Sequence, residues 1–296
     1  MKKKYKTKIE NETKVLAKQI GTKNTQKVFM EANKNTSSGP IFLITFDTRI
    51  PKEDAFRKLE HDVNAVIVNA GAKGTQVYLS VYSPGGPVTA YANAAAQVER
   101  LINAKIPVTV FVDEIAASGG YMMACVATKL VANPMAFVGS IGVVGQIPIF
   151  EDALKRIGVH FELFTAGKMK RTVVPFKTPT DEDKDAVNDK LQGLHTAFKQ
   201  HVQGFRPQVT EATMDGDYFM AKDHVGTLVD ELGDSNSAIL HAFASNIPLF
   251  RVTTEVKRGF SLKRLFGADS MMDDFVESLT DRVMAKVFDG GYTGIR

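Results

Sequence analysis

The chain has very little of several residue types that would otherwise define a function class. It contains one cysteine, Cys125, and no tryptophan in 296 residues. A lone cysteine excludes an intrachain disulfide and a cysteine-rich zinc site. No apolar run approaches the ~18–20 residues that span a bilayer; the longest candidates are 41–46 and 136–144. The N-terminal segment carries charges with no apolar stretch behind them, so it does not read as a secretory signal. The expectation from these absences is a soluble chain in the compartment where it is made, the cytoplasm.

What is present is an ordinary globular mixture, 44% hydrophobic and 24% charged, enough for one large domain or two small ones. The net charge of +4 is unevenly placed. Residues 1–34 hold ten lysines against Glu10, Glu12 and Glu31, which leaves the remainder mildly acidic. Residues 1–39 therefore read as a basic arm, closed by Ser37-Ser38-Gly39-Pro40. The lysines have only Tyr5 and Phe29 for aromatic company, which favours a solubilising tail over a nucleic-acid contact. Contact with an anionic membrane surface stays open, with no transmembrane segment.

After the arm, elements alternate. Residues 41–46 form a short apolar strand. Pro51 opens a helix in which Phe56, Leu59, Val63, Val66 and Ile67 recur at helical spacing. Residues 75–81 are a strand with Val77, Leu79 and Val81 on one face. Residues 88–104 are an alanine-rich helix, 107–112 a β-branched strand, and 119–129 a small apolar helix. Strands alternating with helices at this spacing predict an α/β fold with parallel pairing. Further on, 181–204 and 270–288 read as amphipathic helices, and 246–268 as a basic connector.

Two strand ends stand out. The first runs into Ser83-Pro84-Gly85-Gly86, the second into Ala116-Ala117-Ser118-Gly119-Gly120-Tyr121. Glycines at the ends of parallel strands lie on the edge where α/β folds bind ligands, and glycine lets backbone approach closely. A serine before a helix N-terminus sits beside free N–H groups that stabilise an oxyanion. Spacing alone favours a blander account, with Ser118 as an N-cap and Gly85-Gly86 as a tight turn.

Two further segments, Val138-Gly139-Ser140-Ile141-Gly142-Val143 and Thr165-Ala166-Gly167-Lys168-Met169-Lys170-Arg171-Thr172, follow in order. Over about residues 40–235 the four together resemble the S49 peptidase family, of the signal peptide peptidase A type, and especially its SohB-like branch. The resemblance implies a ClpP/crotonase-like α/β fold, a parallel-strand core of repeated ββα units. It also implies a Ser/Lys dyad, with Ser118 as nucleophile, Lys170 as general base and Ser140 orienting the lysine. The oxyanion hole would come chiefly from Gly85, with Gly86 beside it, and from Gly119. Two residues apart, Lys168 and Lys170 share a face of an extended segment, and only the family pattern points to Lys170. Such a base must be neutral, which burial of the ammonium favours. None of the six histidines falls in these four segments.

The reading is thus a serine peptidase domain over 40–245 that takes peptide in extended conformation, with small or apolar side chains at the cleavage site. The resemblance further implies a homo-oligomer, and the expectation is that the lysine-rich arm stands where the family carries a membrane anchor. Residues 246–296 would be connector and C-terminal helix. No metal or cofactor is expected, because Asp230-Glu231 and Asp273-Asp274 have no histidine nearby. The alternatives are a crotonase-type acyl-CoA enzyme and a catalytically inactive or assembly/scaffold-processing relative, for example a virus-encoded one.

Overall fold

The computed structural model describes residues 4–12, 39–49, 52–70, 73–164, 166 and 173–257. These fall in two compact units, one built on Tyr5–Val144 and Leu191–Lys257, the other containing Gly145–Lys190. The larger unit is a seven-stranded sheet in the order β1 (Lys4–Asn11), β10 (Leu249–Lys257), β2 (Ile41–Asp47), β3 (Gln76–Tyr82), β4 (Val108–Val112), β6 (Lys129–Ala132) and β9 (Glu231–Leu232), with a three-stranded sheet of β5 (Ile115–Ala117), β7 (Phe137–Gly139) and β8 (Tyr218–Met220).

The central strands are β2 (Ile41–Asp47), β3 (Gln76–Tyr82), β4 (Val108–Val112), β6 (Lys129–Ala132) and β9 (Glu231–Leu232), all parallel neighbours in that sequence. β3 alternates strictly: Val77, Leu79 and Val81 are buried, while Tyr78, Ser80 and Tyr82 are half-exposed. The buried face packs under α1 (Lys52–Asn69) and α2 (Val88–Asn103), which contribute Leu59, Val63, Val66, Tyr91, Val98 and Leu101 to one core. Pro51, predicted to open α1, lies outside the described residues.

After β4 and β6 the chain adds a short strand to the second sheet, β5 (Ile115–Ala117) and β7 (Phe137–Gly139) respectively. These two pair in parallel, and β7 pairs antiparallel with β8 (Tyr218–Met220). Ser83, just past β3, bridges to Ala116 in the same way. The strand–short strand–helix repeat is the ββα unit expected, and it brings three strand ends to one edge.

Three segments differ from expectation. The small helix α3 covers only Gly119–Ala124, not 119–129. It stops because the Arg206 guanidinium takes the carbonyls of Cys125 (3.0 Å) and Ala127 (3.1 Å), so those carbonyls do not continue the helix. Within the basic connector, Leu249–Lys257 is a strand, β10, parallel to β2 with Leu249 opposite Ile41. Its alternation buries Val252 and Thr254 and turns Thr253 and Glu255 to solvent. The described part of the basic arm, Lys4–Asn11, is strand β1, next to β10. The 270–288 helix lies outside the described residues.

Helix α1 is tied to β10 by Asp62, which is 3% exposed and accepts the Thr254 hydroxyl at 2.6 Å. Burial pushes its carboxyl up to about 7, against the lowering effects of that hydrogen bond and of Lys58. An unfolded aspartate titrates near ~3.9, so between there and 7 the folded chain holds the extra proton. The group's contribution is therefore most favourable below about pH 4, declines as pH rises toward 7, and is flat above. Asp62→Asn keeps an acceptor for Thr254 and removes the charge. Denaturant titrations should show the variant gaining more on wild type at about pH 8 than at about pH 5; an equal difference at both would sink the account.

The smaller unit contains helix α4 (Glu151–Arg156) and a Phe161–Phe176 ring contact at 4.9 Å. Phe150 N–H donates to Pro175 C=O at 2.7 Å, and Thr178 N–H to Glu151 Oε2 at 2.6 Å. Ile157, Phe161 and Phe164 remain exposed. Among the described residues no helix is long and apolar enough to cross a membrane.

Candidate active site

The register of the second sheet determines which side chains meet. Ala117 pairs with Gly139, so the residues that follow, Ser118 and Ser140, leave adjacent parallel strands side by side. Ser118 N–H donates to Gly139 C=O at 2.8 Å and fixes that placement. Both serines adopt φ +51°, a left-handed value that side chains with a Cβ rarely take. Ser118 has ψ −123° and its hydroxyl makes no capping bond to α3. The residue stands in the N-cap position without capping.

Gly85 explains how the other strand end approaches. It has φ +104°, and a Cβ there would lie 2.8 Å from Ser118 Cβ and 3.0 Å from both Ala117 O and Gly119 N. Gly119 is crowded from the opposite side, where an added Cβ would stand 2.5 Å from the Tyr91 ring. Neither position has room for any larger residue. Gly85 N–H is engaged by Ser83 Oγ at 3.2 Å. Among the described residues, the N–H groups of Gly86 and Gly119 make no hydrogen bond.

A cavity of about 850 Å³ opens here, lined by Gly86, Ser118, Ser140, His195, Asp215 and Gly216. Val88, Val143, Leu191 and Leu194 form its apolar wall. Leu191, Leu194 and His195 stand on helix α5 (Asp181–Phe205). Ser140 Oγ donates to Gly216 C=O at 3.1 Å, and Ser140 N–H to Asp217 C=O at 2.7 Å.

Four of the predicted site residues, Gly86, Ser118, Ser140 and, through its close approach, Gly85, are thus brought together, and Gly119 follows Ser118 directly. Lys170 and its rival Lys168 lie outside the described residues. His195 and Tyr91 were missed. His195 Nε2 lies 2.9 Å from Ile141 O and 2.8 Å from Met214 O, so that nitrogen carries a proton donated to both. It therefore holds the irregular segment after Ser140 against Met214. Nothing local marks His195 in the sequence; the packing of α5 brings it there. Tyr82, at the end of β3, lies beneath Arg49, whose guanidinium carbon is 4.1 Å from the ring centroid. Arg49 also grips Asp47, and that hydrogen bond holds the Asp47 carboxyl below its usual range.

Comparison with known proteins follows the same segments. The model of peptidase family S49 matches residues 100–245. A protein named "Probable protease SohB" from Buchnera aphidicola subsp. Acyrthosiphon pisum (strain APS) is 40% identical over 184 residues, 62% of this chain and 54% of that one. The protein of the same name from Buchnera aphidicola subsp. Schlechtendalia chinensis is 34% identical over 241 residues, 80% of this chain and 78% of the relative. The chain thus spans about half the length of the first. A ClpP1 mutant from Listeria monocytogenes superposes with a TM-score of 0.42 at 14% identity, covering 73% of this chain and 99% of its own. The matched residues include Ser118, Ser140, α5 and β8, and with the second relative covered over most of its length the chain belongs to peptidase family S49, on its SohB-like branch.

Proposed function

We propose that the chain is a serine endopeptidase that cleaves extended peptide through an acyl-enzyme on Ser118. One observation carries the reading. Ser118 is held at a strained turn beside a cavity, its hydroxyl is not spent on capping, and beside it the N–H groups of Gly86 and Gly119 have no hydrogen-bond partner among the described residues. In this scheme Ser118 Oγ attacks the scissile carbonyl and its proton passes to the neutral Lys170 amine. Negative charge grows on the carbonyl oxygen and is met by preorganised N–H donors. Lys170 then gives the proton to the leaving amine, and water releases the acyl group. The Lys170 role rests on family membership, and Ser140, fixed to Gly216, is the hydroxyl that orients it.

The apolar wall of Val88, Leu191 and Leu194 suits small or apolar side chains. Extended peptide would add as a strand beside the Gly85-Gly86 turn. The exposed Ile157, Phe161 and Phe164 favour assembly with further copies of the chain.

The test is covalent. A fluorophosphonate probe should label wild type, and peptide mapping should place the adduct on Ser118. Lys170→Ala should suppress labelling at least about 10²-fold, in line with loss of a general base, while Lys168→Ala should not. An adduct elsewhere, or suppression by Lys168→Ala alone, would overturn the assignment.

A further inference from the structure

Beneath the glycine turn the hydrogen bonds close into a ring. Ser83 Oγ and Tyr91 Oη are in direct hydrogen-bond contact. Tyr91 Oη donates to Gly85 C=O at 3.1 Å, and Gly85 N–H donates to Ser83 Oγ at 3.2 Å. The protons are accounted for when the Ser83 hydroxyl donates to Tyr91 Oη. Ser83 and Tyr91 are both fully buried. Burial pushes the Tyr91 phenol above its usual range, against the hydrogen bonds of Ser83 and Thr48, so the donor proton is kept.

The Gly85 carbonyl and the Gly86 N–H belong to one peptide plane. No cis bond occurs among the described residues, and in a trans peptide the two groups point in opposite directions. Holding the carbonyl inward on Tyr91 therefore turns the Gly86 N–H outward, to the side where Gly86 lines the cavity. The Tyr91 ring meanwhile fills the space under Gly119. One side chain thus supports both backbone segments that flank Ser118.

We infer that Tyr91, acting with Ser83, is a positioning residue that aims the Gly86 N–H at the developing oxyanion, so that Gly86 takes the donor role expected of Gly85. The inference rests on the peptidase reading above. Tyr91→Phe tests it, because the ring under Gly119 and its contacts with Phe46 and Phe56 are kept and only the hydroxyl is lost.

The readouts are peptide kinetics and the rate of fluorophosphonate labelling, normalised to the folded fraction from thermal melts. kcat should fall about 10- to 100-fold, short of the full loss of an oxyanion donor, with KM changed less than about two-fold, since the interaction arises in the transition state. Labelling should slow by a similar factor. Ser83→Ala should do the same, and the double variant should be no worse than the weaker single, as expected for coupled partners. Should Tyr91→Phe not fold, Ser83→Ala decides alone. Wild-type kcat and labelling in the folded variants, or a loss confined to KM, would overturn the inference and leave the peptidase intact. Wild type that forms no Ser118 adduct would overturn both.

Discussion

Ser118→Gly is expected to abolish peptide hydrolysis and yet leave a protein about 1 kcal/mol more stable than Ser118→Ala. Both variants lose the hydroxyl, so the activity loss should be at least about 10³-fold for a nucleophile that forms the acyl-enzyme. They differ in strain. At φ +51°, ψ −123° a residue with a Cβ carries roughly 1–3 kcal/mol, and glycine carries none. Part of the gain is offset by the larger entropy of a glycine in the unfolded chain, about 0.5–1 kcal/mol. The strained turn persists in the native chain because neighbours hold it. Ser118 N–H is bound to Gly139, its carbonyl to Met122 N–H, and Ala117 N–H to Ser83 C=O. Denaturant unfolding of the two variants checks the difference. Equal stabilities would limit the strain to the about 0.5–1 kcal/mol that glycine's unfolded-state entropy cancels, and residual hydrolysis in both would remove Ser118 from the chemistry.

The second large effect concerns stability. Arg206, 4% exposed, follows helix α5 and pairs with Asp230, while its other nitrogens hold the Cys125 and Ala127 carbonyls. Asp230 Oδ2 in turn accepts Leu130 N–H at 2.7 Å at the start of β6. Arg206→Met should cost about 3–5 kcal/mol, because it strands a partly buried carboxylate and frees two buried carbonyls. Asp230→Asn should cost less, since it keeps an acceptor for Leu130 and removes the unpaired-charge problem in the double variant. The expected pattern in chemical denaturation is therefore that Arg206→Met/Asp230→Asn recovers part of the Arg206→Met loss. A loss below about 1 kcal/mol for Arg206→Met would reduce the pair to a surface salt bridge in energetic terms.

The parts of this fold that could be read from sequence were those where a local pattern coincides with a buried face. β3 alternates Val77, Leu79 and Val81, and the observed strand buries those three. The Ser83 and Ser118 segments announce their glycines, and the structure puts the two together. Other features depended on partners distant in the chain. α3 ends early because of a guanidinium about 80 residues away. β10 has the same alternation as β3, but Arg251, Glu255 and the basic residues after it make the segment look like a connector, although Val252 and Thr254 are buried. Tyr91 sits in an alanine-rich helix where its hydroxyl has no visible purpose until Ser83 is placed beside it. His195 is likewise meaningless without α5 in position. A motif marks where backbone must come close; which side chain holds it there is a property of the packing.

The place of β10 has a consequence for synthesis. β2 emerges from the ribosome early, with Ile41 and Leu43 ready to be buried, but its neighbour on one side is made about two hundred residues later. Until then β2 presents an open, apolar edge of the kind that recruits foreign strands. β1, translated before β2, waits longer still, because its place in the sheet lies beyond β10. Long-range pairing of this kind slows folding and prolongs the vulnerable interval. A ribosome stalled before residue 249 would therefore carry a chain with its serine-bearing loops complete but its sheet unsealed.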